Sequence, residues 1–160
     1  QGPAQDRVSY GHDLENIWLL MDACEAVGIT DSPLRDLYKT LFAYSLQYGY
    51  DGKNGGFYDS GPFNQPAGRR DKVFWVEAEA LVSALRMYQL TGEDSYYRVF
   101  DQTLNWINTR QADWQYGDWF STVPETGNPA GGKANAWKGP YHNGRAMLEC
   151  LRAVKKIYQP

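Results

Sequence analysis

The sequence predicts an all-α protein built from helical hairpins that stack side by side. Apolar residues recur at three- and four-residue steps along five segments, which is the spacing of one face of an α-helix. Short turns alternate with long loops rich in glycine and aromatic residues between these segments. The order of helix, turn, helix and loop repeats after about sixty residues, which is typical of a solenoid or a closed ring of hairpins.

The first hairpin consists of predicted helices over residues 12–27 and 33–48. Gly28 ends the first helix, Pro33 begins the second, and Gly49 ends it. Both helices carry one apolar stripe. Its members are Leu14, Ile17, Trp18, Met21 and Cys24 in the first helix, and Leu34, Leu37, Tyr38, Leu41, Phe42 and Leu46 in the second.

The second hairpin is predicted over residues 72–90 and 95–109, with a polar turn at 91–94 between its helices. A fifth helix follows over residues 141–158, and Pro140 stands just before it. The chain therefore holds about two and a half hairpins. A closed ring of six hairpins at this spacing would need roughly 380 residues.

Two long loops carry the second signal of a repeat. The loop over residues 50–70 contains Gly55-Gly56-Phe57-Tyr58, which favours a short hairpin. The loop over residues 111–139 contains the corresponding run Gly117-Asp118-Trp119-Phe120. We therefore expect the two loops to share one local structure.

Composition excludes several classes of function. The net charge is −3 and the basic residues form no stripe, so we expect no nucleic-acid partner. No apolar run is long enough to cross a bilayer, and residues 1–6 lack the pattern of a secretory leader, so we expect no membrane association. Cys24 and Cys150 lie within helical patterns, where free buried thiols in a reducing, cytoplasmic setting are the expected state.

Aromatic residues make up 15% of the chain, with six Trp and twelve Tyr, and many of them lie in the glycine-rich loops. A pyranose ring packs its C–H face on an aromatic ring, while Tyr and Trp keep a polar group at the rim. The loops therefore indicate a sugar-binding cleft. Those aromatics that follow helical spacing are expected to belong to the core.

Both histidines of the chain, His12 and His142, lie at predicted helix starts and closely follow a tyrosine. The positive end of the helix dipole favours a neutral imidazole, which can accept a proton. Glu15 stands three residues after His12, so its carboxylate is expected to reach that imidazole. The two histidines are therefore candidate catalytic bases, and their spacing does not predict a metal site.

The corresponding position of the third helix is occupied by Trp75, which could form a stacking floor for a sugar ring. Glu77 and Glu79 follow it. Residues two apart on a helix point in different directions, so at most one of the two is expected to face the cavity and the other to face solvent.

Three stretches of the sequence resemble signature motifs of the N-acylglucosamine 2-epimerase superfamily, and are most similar to those of cellobiose 2-epimerases. They are Ser9-Tyr10-Gly11-His12-Asp13-Leu14-Glu15, Phe74-Trp75-Val76-Glu77-Ala78-Glu79-Ala80 and Trp137-Lys138-Gly139-Pro140-Tyr141-His142-Asn143-Gly144-Arg145-Ala146. The resemblance covers nearly the whole chain. It implies an (α/α)6 barrel of which residues 1–160 are the C-terminal part, about half of the barrel.

The resemblance also implies an activity, the inversion of C2 of a reducing-end mono- or disaccharide through an enediol, with no cofactor and no metal. By that similarity His142 exchanges the C2 proton on one face, and His12 assists ring opening and serves the other face. Glu15 would support His12. The substrate-binding residues implied in this way are Trp75, Trp137, Glu79, Tyr10 and Tyr141.

The sequence differs from the family pattern at Phe74 and Glu77, where many members have Trp and Gln. The N-terminal half of the barrel is absent, so the chain is expected to bind its missing half or to form a homo-oligomer. Three alternatives stay open at this point. They are an aldose–ketose isomerase on the same barrel, a glycoside hydrolase or lyase that uses a carboxylate pair such as Asp13 or Glu15 with Glu79, and a non-catalytic half-barrel.

Overall fold

In a computed structural model the chain is mostly helical, and residues 7–30, 32–129 and 132–158 are described. The expectations for residues 1–6 fall outside these ranges. A 3₁₀ turn, Ser32–Leu34, precedes the second helix, and a π turn, Ile107–Gln111, follows the fourth. The elements are β1 (Arg7–Ser9), α1 (Tyr10–Ala26), α2 (Arg35–Gly49), β2 (Ser60–Pro62), β3 (Lys72–Val73), α3 (Phe74–Thr91), α4 (Asp94–Trp106), β4 (Thr122–Val123) and α5 (His142–Tyr158).

All five predicted helices are confirmed, with shifts at their ends. Helix α1 begins earlier than predicted, at Tyr10, because the chain leaves β1 directly into the helix. Helix α4 ends earlier than predicted, at Trp106, and the next residues form the π turn, in which the Ala112 N–H donates to the Ile107 carbonyl at 2.8 Å. The short strands were not predicted, since two or three residues carry too little pattern to be recognised.

Helix α3 lies at the centre of the described structure and is buried along most of its length. It packs against α1, α4 and α5, while α2 packs against α1. Helices α1, α3 and α5 therefore form one layer, and α2 and α4 form a second layer behind it. This is the arrangement expected of consecutive helical hairpins in a ring.

The short strands hold each long loop over the start of a helix. Strand β1 pairs antiparallel with β2, and β3 pairs antiparallel with β4. In each pair, one strand directly precedes the first helix of a hairpin and the other lies in the loop after the second helix. Both long loops are thereby fixed on the side of the molecule where α1 and α3 begin.

Residues 50–57 form a narrow turn, here called the first lysine-bonded turn. Tyr50 and Phe57 are paired across it, and the Gly55 N–H donates to the Asp51 carbonyl at 2.8 Å. Lys72 closes the turn, since its Nζ lies 2.8 Å from Asp51 Oδ2 and 2.5 Å from the Gly55 carbonyl. Burial opposes ionisation of Asp51, but hydrogen bonds from Lys72 and Asn54 prevail and lower its pKa to about 2.

Residues 112–119 form the second lysine-bonded turn with the same contacts. Ala112 and Trp119 are paired, and the Gly117 N–H donates to the Asp113 carbonyl at 2.8 Å. Lys133 Nζ lies 2.6 Å from Asp113 Oδ2 and 2.9 Å from the Gly117 carbonyl. The predicted repeat of the two loops is therefore confirmed at the level of individual hydrogen bonds.

Among the described residues, no helix combines the length and the apolar character needed to cross a membrane. Cys24 and Cys150 are both free and buried, as predicted.

Candidate active site

The first turns of α1, α3 and α5 bring His12, Trp75 and His142 together. The Trp75 ring contacts both imidazoles, with ring centroids 4.8 Å from His12 and 5.6 Å from His142. Gly11 makes this approach possible, because a Cβ at that position would collide with the Trp75 ring. The three positions that the sequence predicts to correspond therefore share one site.

Glu79 is the buried centre of the hydrogen bonds around His142. It is fully buried, and its Oε1 lies 2.6 Å from His142 Nδ1 and 2.5 Å from an Arg145 nitrogen. Its other oxygen accepts the indole N–H of Trp18 at 2.6 Å. A carboxylate accepts hydrogen bonds, so Nδ1 of His142 carries the proton and Nε2 is left free to act as a base.

His12 has a different partner from the one predicted. Its Nδ1 lies 2.9 Å from the hydroxyl of Ser9, the residue that precedes α1. The predicted contact with Glu15 is wrong in this structure, because Glu15 Oε1 instead accepts a hydrogen bond from the Tyr141 hydroxyl at 3.4 Å. A hydroxyl can donate or accept, so His12 is not held in one tautomer as His142 is.

Glu15 therefore belongs to the surroundings of His142. Ligand atoms of Glu15, Glu79 and His142 all lie within 4.8 Å of one another. Burial and the neighbouring Glu15 carboxylate raise the pKa of Tyr141, which keeps its hydroxyl protonated and able to donate. The Arg145 guanidinium provides a positive charge in this group through its ion pair with Glu79.

Arg145 is held by aromatic rings as well as by Glu79. Its guanidinium carbon lies 4.0 Å from the centroid of Trp18 and 5.0 Å from that of Tyr141. Such cation–π contacts are stabilising when the cation is partly desolvated. Arg145 thus fixes Glu79, and Glu79 in turn fixes the imidazole of His142.

Tyr10 does not occupy the substrate-binding position that the sequence predicts. Its side chain is fully buried, and it fills the space over Gly49 and Gly61, where a Cβ would collide with the ring or its hydroxyl. Burial raises its pKa to about 12. Tyr10 is therefore a packing residue that joins α1 to the first long loop.

Glu79, also predicted to bind substrate, is fully buried, and its hydrogen bonds go to His142, Arg145 and Trp18. The remaining three predicted substrate-binding residues have open surfaces. Tyr141 is exposed, Trp75 is half-buried, and Trp137 is 93% exposed. The backbone of Trp137 is fixed, because its N–H donates to the Asn135 side chain at 2.8 Å. These residues are accessible to a ligand, and their binding role stays a prediction.

Glu77 is not directed to solvent, contrary to the sequence-based expectation. It is fully buried, and its Oε1 accepts the N–H of Phe57 at 3.0 Å in the first lysine-bonded turn. Its Oε2 lies 2.7 Å from the position that a Cβ on Gly56 would take. Burial raises the pKa of Glu77 to about 8, even though Lys72 and the Phe57 N–H oppose this shift.

Three members of the site received no role from the sequence, namely Ser9, Trp18 and Arg145. All three lie one helical turn from a predicted site residue, Ser9 before His12, Trp18 after Glu15 and Arg145 after His142. That spacing was the available signal. The three-residue spacing placed each of them on the same face as a predicted site residue, but it did not identify their partners on other helices.

Comparison with known proteins agrees with the resemblance in the motifs. The sequence profile of the N-acylglucosamine 2-epimerase family matches residues 5–146. A cellobiose 2-epimerase of Eubacterium cellulosolvens is 32% identical over 158 residues, which cover 95% of this chain and 38% of that protein. The chain thus spans about two fifths of the length of that relative.

Two solved structures have the same fold. The cellobiose 2-epimerase of Spirochaeta thermophila is 30% identical with a TM-score of 0.80, over 96% of this chain and 39% of the other. A D-mannose isomerase is 25% identical with a TM-score of 0.83, over 91% of this chain and 37% of the other. The fold is thus half of an (α/α)6 barrel, as predicted. The chain belongs to the N-acylglucosamine 2-epimerase family, whose members with this similarity are sugar epimerases and isomerases, and it corresponds to their C-terminal half.

Proposed function

We propose that the full-length protein is a sugar 2-epimerase that inverts C2 of a reducing-end sugar by proton transfer to and from histidines. The observation that carries this proposal is the pair of imidazoles that both contact the Trp75 ring. Their partners differ, since His142 contacts the Glu79 carboxylate and His12 contacts the Ser9 hydroxyl. Two titratable groups in different environments suit the separate roles of acid and base.

The reaction begins from the open-chain aldehyde, in which the carbonyl makes the C2 proton acidic. Nε2 of His142 takes that proton, the electron pair of the C–H bond forms the C1–C2 double bond, and the carbonyl pair moves to O1, which gives an enediol in its anionic form. The imidazolium of His12 then donates a proton to C2 on the opposite face, and the aldehyde forms again with C2 inverted. His142 afterwards releases its proton to solvent, and His12 regains one. Each proton transfer by a positioned group contributes about 10²- to 10⁴-fold to the rate. No electron leaves the substrate, so this chemistry requires no redox cofactor.

The residues around His142 support its role as a base. Glu79 stabilises the imidazolium that forms when His142 takes a proton, and Arg145 keeps Glu79 in place. Trp75 and Trp137 offer faces on which sugar rings can pack. The Tyr141 hydroxyl and Glu15, which contact each other at 3.4 Å, would bind hydroxyl groups of the sugar. The names of the relatives favour cellobiose or an N-acylglucosamine as substrate.

An aldose–ketose isomerase is the second candidate, and the similarity to a D-mannose isomerase favours it. Such an enzyme would share the enediol but would return the proton to C1. The same two histidines could perform either reaction. The position of the substrate relative to His12 would decide which of the two reactions occurs.

Incubation of the full-length protein with cellobiose in D₂O distinguishes these reactions. An epimerase introduces deuterium at C2 of the glucose or mannose unit at the reducing end, because the proton exchanges on the imidazole. An isomerase gives a ketose that is labelled at C1. Mass spectrometry and proton NMR of the products measure both, and a product without label, or cleavage of the disaccharide, would refute the proposal.

We further propose that this chain by itself binds its missing half or a second copy. Leu148 and Leu151 are 57% and 61% exposed, and both lie on α5, the last helix of the half-barrel. We expect light scattering of the isolated chain to give at least the mass of a dimer. A stable monomer without aggregation at micromolar concentration would contradict this expectation.

A cytoplasmic location is part of the same proposal. It is supported by the free, buried thiols of Cys24 and Cys150, since burial raises the pKa of Cys150 to about 12 and keeps it unreactive.

A further inference from the structure

Two large aromatic rings stand in solvent at the tip of the second lysine-bonded turn. Trp114 is 78% exposed and Tyr116 is 77% exposed. Rings of this size are usually at least partly buried, and neighbouring exposed rings mark sites of interaction. The proposed reaction at His12 and His142 does not use them.

The first lysine-bonded turn provides an internal comparison. It has the same cross-turn pairing and the same Asp–Lys contact as the second turn. Gly52 and Asn54 occupy the positions that correspond to Trp114 and Tyr116. The turn therefore forms without aromatic residues at these positions, and the folding of the turn does not explain the two rings.

Hydrogen bonds hold both rings in place. The indole N–H of Trp114 donates to the Asn108 carbonyl at 2.8 Å, in the π turn that follows α4. The Tyr116 hydroxyl accepts from the Gln115 side chain at 2.9 Å, and the backbone N–H of Tyr116 donates to Asp113 at 3.0 Å. Rings that are already ordered lose little conformational entropy when a ligand binds.

The second lysine-bonded turn is attached directly to the candidate active site. Asp118 accepts a hydrogen bond from Asn143 at 2.8 Å, and Asn143 is the neighbour of His142. Asp118 also pairs with Lys138 at 2.6 Å, and Lys138 is the neighbour of Trp137. The exposed rings are therefore on a turn that is bonded to the segment carrying both Trp137 and His142.

We propose that Trp114 and Tyr116 form a binding surface for the outer sugar units of an oligosaccharide whose reducing end lies at His142. This proposal rests on the proposed function, because it assumes a saccharide substrate. The indole and phenol faces would pack on the C–H faces of pyranose rings. Gln115 and Lys133, beside the Tyr116 ring, would bind sugar hydroxyls.

Calorimetry of the full-length protein with cellobiose and with cellotetraose tests the proposal. We expect cellotetraose to bind more tightly than cellobiose. The double variant Trp114→Gly, Tyr116→Asn copies the residues of the first lysine-bonded turn, so its turn is expected to fold. It should lose about tenfold in affinity for cellotetraose and keep its affinity for cellobiose and its turnover of cellobiose.

Phe63→Asn is the matched control, because Phe63 is an exposed ring on the first long loop, 59% accessible to solvent. It should leave both affinities unchanged. Equal affinities of the wild type for the two sugars, or an unchanged cellotetraose affinity in the double variant, would overturn the proposal. If the double variant kept both sugar affinities and differed from the wild type only in its mass in solution, the two rings would belong to a protein interface. That result would also overturn the proposal. Failure of C2 labelling in D₂O, with the tenfold loss still present, would refute the proposed reaction but not this surface.

Discussion

Replacing His142 with Asn in the full-length protein should lower kcat for epimerisation by about 10³-fold, within the range that a positioned acid or base contributes. The substitution removes the Nε2 that is proposed to take the C2 proton. The Glu79 carboxylate and its bonds to Arg145 and Trp18 are expected to stay in place, so the variant should fold. Initial rates with cellobiose and the rate of deuterium exchange at C2 measure the effect.

Two further variants make this result specific. Glu79→Gln keeps an acceptor for the His142 N–H but loses the negative charge that stabilises the imidazolium, so it should lower kcat. Tyr10→Phe should leave kcat unchanged, because the Tyr10 ring is buried in packing and its hydroxyl has no partner among the described residues. If His142→Asn kept its activity while Glu79→Gln lost it, carboxylate chemistry of the hydrolase type would replace the histidine mechanism.

Replacing Glu77 with Gln should change how stability depends on pH. The pKa of Glu77 is raised from 4.5 to about 8 in the folded protein. Between these values the unfolded chain has lost the proton while the folded protein keeps it. The free energy of unfolding therefore falls by about 1.4 kcal/mol for each pH unit as the pH rises from 5 to 8, and this contribution is fully present only below the unfolded pKa.

Gln has nearly the shape of protonated Glu, and its carbonyl can accept the Phe57 N–H. The variant should match the wild type near pH 5 and become progressively more stable than the wild type up to pH 8. Urea unfolding at pH 5, 6, 7 and 8 measures the difference. Glu125→Gln, on an exposed loop, serves as the control, and its free energy of unfolding should change with pH as that of the wild type does. If the free energy of unfolding of Glu77→Gln also changed with pH as that of the wild type does, Glu77 would not be protonated in the folded protein.

The helices and the general place of the site could be predicted because they depend on local patterns. Apolar spacing identified the helices, and the histidines at their starts were found from the repeat. The partner of His12 could not be predicted, because Ser9 and Glu15 both stand three residues away and only the fold decides between them. Glu15 contacts Tyr141, which directly precedes α5 far along the chain, and no local spacing encodes that contact.

Tyr10 and Glu77 were misplaced for a related reason. Periodicity gives the direction in which a side chain leaves its own helix. It does not tell which other segment of the chain packs over that side chain. The first long loop folds over the start of α1 and α3, and it buries both residues. A glycine-rich loop has no apolar period from which such a cover can be recognised.

The lysines of the two turns have a further consequence for how the protein unfolds. Lys72 directly precedes α3 but closes the turn that follows α2, and Lys133 precedes α5 but closes the turn that follows α4. Each lysine thus joins one hairpin to the next. Because Lys72 is buried with its aspartate, opening one hairpin must disrupt the entry of its neighbour. Adjacent repeats are therefore expected to unfold together, as nearest neighbours in a cooperative array. Hydrogen exchange should then show amide protons of both hairpins exchanging with one common free energy of opening, and not hairpins that open one at a time.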